Sequence, residues 1–186
     1  MPLKSSTYLA LVFICSIIIS CSKYIDITKN KTHVPIMQGY LDFYPDSNIL
    51  FYKTNVGLTS DMEKKYPKAF KVKLPKGLKF YELSNSTDFI FYYNKRQAVV
   101  INIDADYKEI TGDSVYFPTK AELDNFILYK TSTSNHNYNI KEIPMKSMGK
   151  QVFIKKGAAT ILLYNIEPKN YDLFFKYVNS FSFIEQ

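Results

Sequence analysis

The runs DFIFYY (88–93) and QAVVINI (97–103) are apolar at successive positions, not at alternate ones. Side chains along a strand point to opposite faces in turn, so a strand with water on one side alternates apolar and polar residues. A strand apolar at every position needs cover on both faces. The link between the two runs is only Asn94-Lys95-Arg96, a length that closes a hairpin. The chain is therefore expected to place this hairpin at the centre of a sheet with a layer on each side.

The flanking segments supply candidates for that sheet and its cover. GYLDFY (39–44) and NILFYKT (48–54) flank the turn residues Pro45-Asp46-Ser47 and read as a second hairpin. In AFKVKL (69–74), Phe70, Val72 and Leu74 share one face, and Lys71 and Lys73 take the other. Lysines on the outer face with Pro75 following suit an edge strand or a solvated face. KFYELS (79–84) precedes the central hairpin, and KQVFIKK and AATILLYNI join through Gly157 into a third. Ser60-x-x-Glu63 and Thr119-x-x-Glu122 both have the spacing of a capping box, in which hydroxyl and carboxylate satisfy each other's free helix-start amides. The first opens a short helix stopped by Pro67. The second opens TKAELDNFILY (119–129), with Leu123, Phe126 and Ile127 as an apolar stripe. PKNYDLFFKYVN (168–179) is a second amphipathic helix, with Leu173, Phe174, Tyr177 and Val178 expected inward. Antiparallel strands with two long interleaved helices define a single α+β domain. The expected form is a largely antiparallel sheet with the two main helices packed on it, α/β/α sandwich-like. The run AFKVKLPKGLKF, then DFIFYY and VVINI, the TKAELDNFIL helix, the FIKKGAATILLYNI hairpin and a final helix plus SFSF are similar to the PsbP-like sandwich domains. That family shares no single activity, so the resemblance implies a scaffold and not a reaction.

The N-terminus carries a different message. Lys4 and the apolar stretch from Leu9 to Ile19 lead into Ile18-Ile19-Ser20-Cys21, after which the chain turns polar with Ser22 and Lys23. This resembles a bacterial lipoprotein signal peptide with its lipobox, which implies acylation at Cys21. The apolar stretch has the length of a signal core, short of the ~20 residues that cross a bilayer. Bulky Ile18 stands where simple cleavage and release would want a small residue. Stable anchoring takes more than one acyl chain, which a triacylated cysteine supplies. The expected organisation is a signal peptide over 1–20, a lipidated tether over 21–36 and a globular domain over 37–186. Removing residues 1–20 from the 186 leaves 166, enough to bury about 70% of the unfolded surface without staples. Staples are in any case absent. Cys15 leaves with the signal and Cys21 carries lipid, so no disulfide, thiol nucleophile or cysteine-bound zinc is expected. Asp26 is the one acid soon after Cys21. Surface-exported lipoproteins of Bacteroidota, which this composition resembles, often place an acidic cluster there. An outer-membrane anchor facing the periplasm follows as the expectation.

Charge and motifs narrow the function classes. The chain has a formal charge of +7, falling to +6 without Lys4, and Arg96 is its only arginine. Lysine is a hydrated point charge, whereas arginine forks serve shaped anion pockets. Between Glu63 and Lys79 lie Lys64, Lys65, Lys68, Lys71, Lys73, Lys76 and Lys79. Lys71, Lys73 and Lys76 are the candidate contacts to anionic headgroups or to an acidic protein partner. Nucleic acid is not an expected partner for an envelope-anchored chain. His33 and His136 stand apart without ligand spacing, so no metal site is expected. Asp104, Asp106 and Glu109 form the densest carboxylate group, on the exit from VVINI. There is no Gly-x-Ser-x-Gly elbow and no glycine-rich phosphate loop, and no cofactor is implied. Trp is absent, which weakens sugar-stacking platforms, although tyrosine can substitute; the Tyr and Phe residues fall mainly in strands, where core packing accounts for them. Asp113-Ser114-Val115 resembles the short acceptor for O-glycosylation used by Bacteroidota, with Ser114 as the acceptor. The leading expectation is a lipid-anchored, non-enzymatic binding or assembly domain. The alternatives are a periplasmic immunity protein against a delivered toxin and a hydrolase built on Asp104, Asp106 or Glu109.

Overall fold

A computed structural model of the protein describes residues 32–36, 39–44, 47–54, 69–84, 88–103, 112–128 and 138–184. The helix expected after Ser60 lies outside them. The elements are β1 (Thr32–Ile36), β2 (Gly39–Tyr44), β3 (Ile49–Thr54), β4 (Ala69–Lys73), β5 (Phe80–Ser84), β6 (Asp88–Asn94), β7 (Gln97–Ile103), β8 (Ser114–Tyr116), α1 (Lys120–Leu128), a 3-10 turn (Ile140–Glu142), β9 (Lys150–Lys156), β10 (Ala159–Ile166), α2 (Pro168–Val178) and β11 (Ser182–Phe183). They build two antiparallel sheets, ordered β1-β2-β3-β4-β11 and β5-β6-β7-β10-β9-β8. Residues 32–36, read from composition as the end of the tether, thus pair with β2 as an edge strand.

The expected central hairpin is β6–β7, and β10 joins it as a third strand apolar on both faces. One face of these strands carries Phe89, Phe91, Val99, Ile101, Ile161 and Leu163. It packs against Phe43, Leu50, Tyr52, Phe70 and Val72 of the five-stranded sheet. Phe89 bridges the two layers, with its ring 4.8 Å from Tyr52 and 5.1 Å from Phe70, edge-on to both. The opposite face presents Ile90, Val100, Phe153 and Leu162 to Leu123 and Ile127 of α1 and to Ile140 and Ile143 around the 3-10 turn. The α+β description is consistent with this arrangement, but sheet dominates and the layers differ from expectation. A second sheet, and not a helix layer, covers the inner face of the six-stranded sheet. The reason lies in β2–β4, whose alternating apolar residues form a face that must itself be buried, and the doubly apolar strands offer the complementary surface.

Helix α2 closes the sandwich at one edge of this shared core. Its buried side follows Tyr171, Phe174, Phe175 and Val178, the i, i+3, i+4, i+7 stripe of a surface helix. Phe174 meets Tyr93 edge-on at 4.6 Å, and Phe181, just past the helix, packs at 5.0 Å from Phe70. Leu173, expected inward, is 48% exposed. Tyr177 is half-buried, with the Lys73 ammonium 5.1 Å from its ring centre. The Ser180 hydroxyl accepts a bond from the Lys73 amide at 2.9 Å and so ties the helix end to β4.

Two asparagines in the left-handed region fix the turns that strand pairing alone leaves loose. Asn48 (φ 58°) donates from Nδ2 to the Leu74 carbonyl at 2.6 Å, while its own carbonyl accepts from the Leu74 amide. Asn165 (φ 57°) is fully buried where the β9–β10 register shifts. Its Oδ1 accepts from the Lys146 amide and Gln151 Nε2, and its Nδ2 donates to the Pro144 carbonyl. A Cβ on Gly149 would sit 2.8 Å from that Oδ1 and 3.1 Å from the Asn165 Cα, so only glycine allows this approach.

The phase of α2 is open to a direct measurement. Phe174→Ala should cost about 3–5 kcal/mol through the cavity it leaves. Leu173→Ala, on the exposed side, should cost less than about 1 kcal/mol. Urea unfolding of the two variants, read by near-UV circular dichroism, would expose a wrong helix phase if the losses were equal or reversed.

Candidate functional site

The outer face of the six-stranded sheet is built in cross-strand rungs. One rung is apolar: Ile90, Val100, Leu162, Phe153 and Tyr116 lie in register across β6, β7, β10, β9 and β8. The rung two residues along is polar: Asp88, Asn102, Thr160, Lys155 and Ser114. Helix α1 covers the apolar rung and stops short of the polar one. The step leaves an open groove of about 420 Å³ lined by Asn102, Tyr116, Glu122, Asn125, Phe126, Phe153, Lys155 and Thr160.

Local interactions hold these groups in place. Phe153 forms the buried floor, with Phe126 of α1 edge-on at 4.9 Å and Tyr116 at 5.5 Å. The Lys155 ammonium lies 5.5 Å from the centre of the Tyr116 ring. Asn102 donates from Nδ2 to the buried Asp88 carboxylate at 2.6 Å, which orients its amide. The expected capping box at Thr119 forms. Glu122 Oε2 accepts from the Thr119 amide and hydroxyl at 2.8 Å each, and the Glu122 amide donates back to the Thr119 hydroxyl. The bond from the Thr119 amide, then that from its hydroxyl, hold the Glu122 carboxyl below its usual value, with a smaller contribution from the Lys155 charge.

The outer face of the five-stranded sheet is different in kind. Lys71 and Lys73 are exposed there, as the alternation of AFKVKL requires, and Lys76 and Lys79 are exposed just beyond β4. Lys71 stands opposite Phe51 and Ser182, and Lys73 opposite Ile49. Asp42, opposite Phe51 on the same rung, is buried.

The remaining sequence candidates are scattered. Ser114 is exposed at the start of β8, and its neighbour Asp113 pairs with Lys156 at 3.0 Å. His33 stands opposite Asp42 in the β1–β2 register. Cys21, Asp104, Asp106, Glu109 and His136 lie outside the described residues. Among the described residues, no group of three or more His, Cys, Asp or Glu is placed to hold a metal ion, and no helix is long and apolar enough to cross a membrane. The groove itself was not anticipated. Its lining comes from five separate elements, and only the cross-strand register aligns Asn102, Thr160 and Lys155. Comparisons with protein-family models, with curated proteins and with solved structures found no match.

The cap on α1 has a pH signature. Glu122 binds protons less readily folded than unfolded, so its contribution is complete above the ordinary value of 4.5 and disappears as pH falls through the lowered one. The thermal midpoints of the parent and Glu122→Ala should therefore differ at neutral pH and draw together as pH falls below the ordinary carboxylate value. A gap that persists unchanged in acid would mean that the carboxylate does not cap the helix.

Proposed function

We propose that this chain is an envelope lipoprotein, anchored through acylated Cys21 and facing the periplasm from the outer membrane. Its PsbP-like domain binds at the membrane surface and does not catalyse. The observation that carries this reading is the group of exposed lysines formed by Lys71 and Lys73 on β4 and Lys76 just after it. Geometry gives the group a reason to meet the bilayer. Residues 22–31 separate Cys21 from β1 and reach at most about 35 Å when fully extended. Strand β1 belongs to the same sheet as β4. The anchor would therefore enter the domain at the sheet that bears Lys71 and Lys73. Each lysine near an anionic surface contributes about 1 kcal/mol, and the attraction fades beyond a Debye length of about 8 Å at physiological salt. Exposed Ser114, beside Val115 on the edge strand β8, is accessible to a glycosyl donor, and O-glycosylation there belongs to the same proposal.

Two measurements test it. Fatty-acid labelling should disappear in Cys21→Ser, and labelling that persists would refute the anchor. A chain starting at residue 22 should bind vesicles containing anionic lipid but not neutral ones, and should dissociate as salt rises. Changing Lys71, Lys73 and Lys76 together to Gln should weaken that binding about a hundredfold. Equal binding to both vesicle types would reduce the lysine group to protection of a solvated sheet face.

A further inference from the structure

We infer that the groove between α1 and the polar rung of the six-stranded sheet is a binding site for a neutral saccharide. The inference stands apart from Lys71 and Lys73, which lie on the other sheet.

The chemistry of the lining selects the ligand. Two half-buried rings, Phe126 and Tyr116, make the accessible apolar part above the buried Phe153, and their electron-rich faces suit polarised C–H groups. Asn102 and Asn125 each bring a donor and an acceptor, and Thr160 brings a hydroxyl. The two charged groups, Lys155 and Glu122, cancel. A purely apolar ligand would strip water from two amides and a hydroxyl without replacing those hydrogen bonds, at a cost of about 1–3 kcal/mol each. An anion would gain one ammonium but meet the Glu122 carboxylate, which stays ionised in its cap. A hard divalent cation would find a single carboxylate where several oxygens are wanted. A pyranose answers this lining: its C–H face suits Phe126 and Tyr116, and its hydroxyls suit the amides, the Thr160 hydroxyl and the ammonium.

The site is also built before any ligand arrives. The Asp88 bond orients Asn102, the cap fixes the start of α1, and Phe153 is locked in the core. Preorganisation of this kind lowers the ordering cost of binding. The volume of about 420 Å³ lies within the range of small-molecule sites, about 300–1,000 Å³, and suits a ligand of one or two rings. The sugar could arrive as a free oligosaccharide or as a unit of an envelope glycan, and the pyranose chemistry is common to both.

The test uses the full chain in a zwitterionic detergent that carries no sugar. Cellobiose, maltose and diacetylchitobiose are titrated at up to tens of millimolar by calorimetry, and insoluble amylose and chitin are used for co-sedimentation. At least one disaccharide or polymer should bind. Retention on a polymer would identify a glycan as the source, and disaccharide binding without retention would identify a free sugar. Asn125→Ala, exposed on α1, and Thr160→Val, equal in size to the parent residue, should each weaken binding about tenfold while leaving the thermal midpoint within a few degrees. Phe126→Ala should abolish binding. The inference is overturned if none of these probes binds, or if binding survives unchanged in both Asn125→Ala and Thr160→Val.

Discussion

Everything in this protein is arranged around three strands that cannot face water on either side. Ile90, Val100 and Leu162 on one face and Phe89, Ile101 and Ile161 on the other are all at most 2% exposed. Each side chain of this size contributes roughly 1.5–3 kcal/mol when fully buried, a large share of a domain stability of about 5–15 kcal/mol. Leaving either face uncovered would therefore unfold the protein. The five-stranded sheet meets one demand, and α1 with the 3-10 turn meets the other.

The two covers do different work because their chemistry differs. A sheet brings a broad apolar layer, and β3 and β4 set the Tyr52 and Phe70 rings edge-on against Phe89 on the inner face. A nine-residue helix is narrower and covers only part of the outer face. Where α1 stops, the sheet turns polar, through Asp88, Asn102, Thr160 and Lys155. The groove is the step between covered and uncovered sheet. A site of this kind needs no dedicated loop, only a helix shorter than the sheet beneath it and a polar rung at its margin.

Buried polar groups tie the layers at points where hydrophobic contact is indifferent to detail. Asn165 links the loop at Pro144 and Lys146 to β10, and the Gln97 Oε1 accepts from the Glu167 amide ahead of α2. The Tyr164 hydroxyl donates to the Ile143 carbonyl and pins the segment after the 3-10 turn to the outer face. Burial pushes the Tyr164 hydroxyl up, as it does for Tyr81. The Tyr164 hydroxyl therefore stays a protonated donor across the physiological range. Satisfied bonds in a dry interior specify one packing out of several that the apolar residues alone would accept.

Local pattern was enough to reveal the longer strands but not the short edge strands β1, β8 and β11, and it revealed the hairpins at Asn94-Lys95-Arg96 and Gly157, the α1 cap and the outward lysines of β4. All of these depend on residues close in sequence, through side-chain alternation, turn length or a bond between positions three apart. The pattern also required two covers for β6 and β7. It did not say that one would be a sheet, because β2–β4 show only that they have an apolar face and not what lies against it. The phase of α2 escaped for a related reason. Leu173 is as apolar as its neighbours, and only the docking of Phe174 on Tyr93 and of Phe181 on Phe70 fixes which side of the helix faces the core. The groove was invisible in the chain, since Asn102, Thr160 and Lys155 become neighbours through strand register, and Phe126 meets Phe153 only once α1 is docked. Periodicity determines which residues share a face. Which faces meet is decided by long-range burial, and in this protein the candidate site lies where two faces meet.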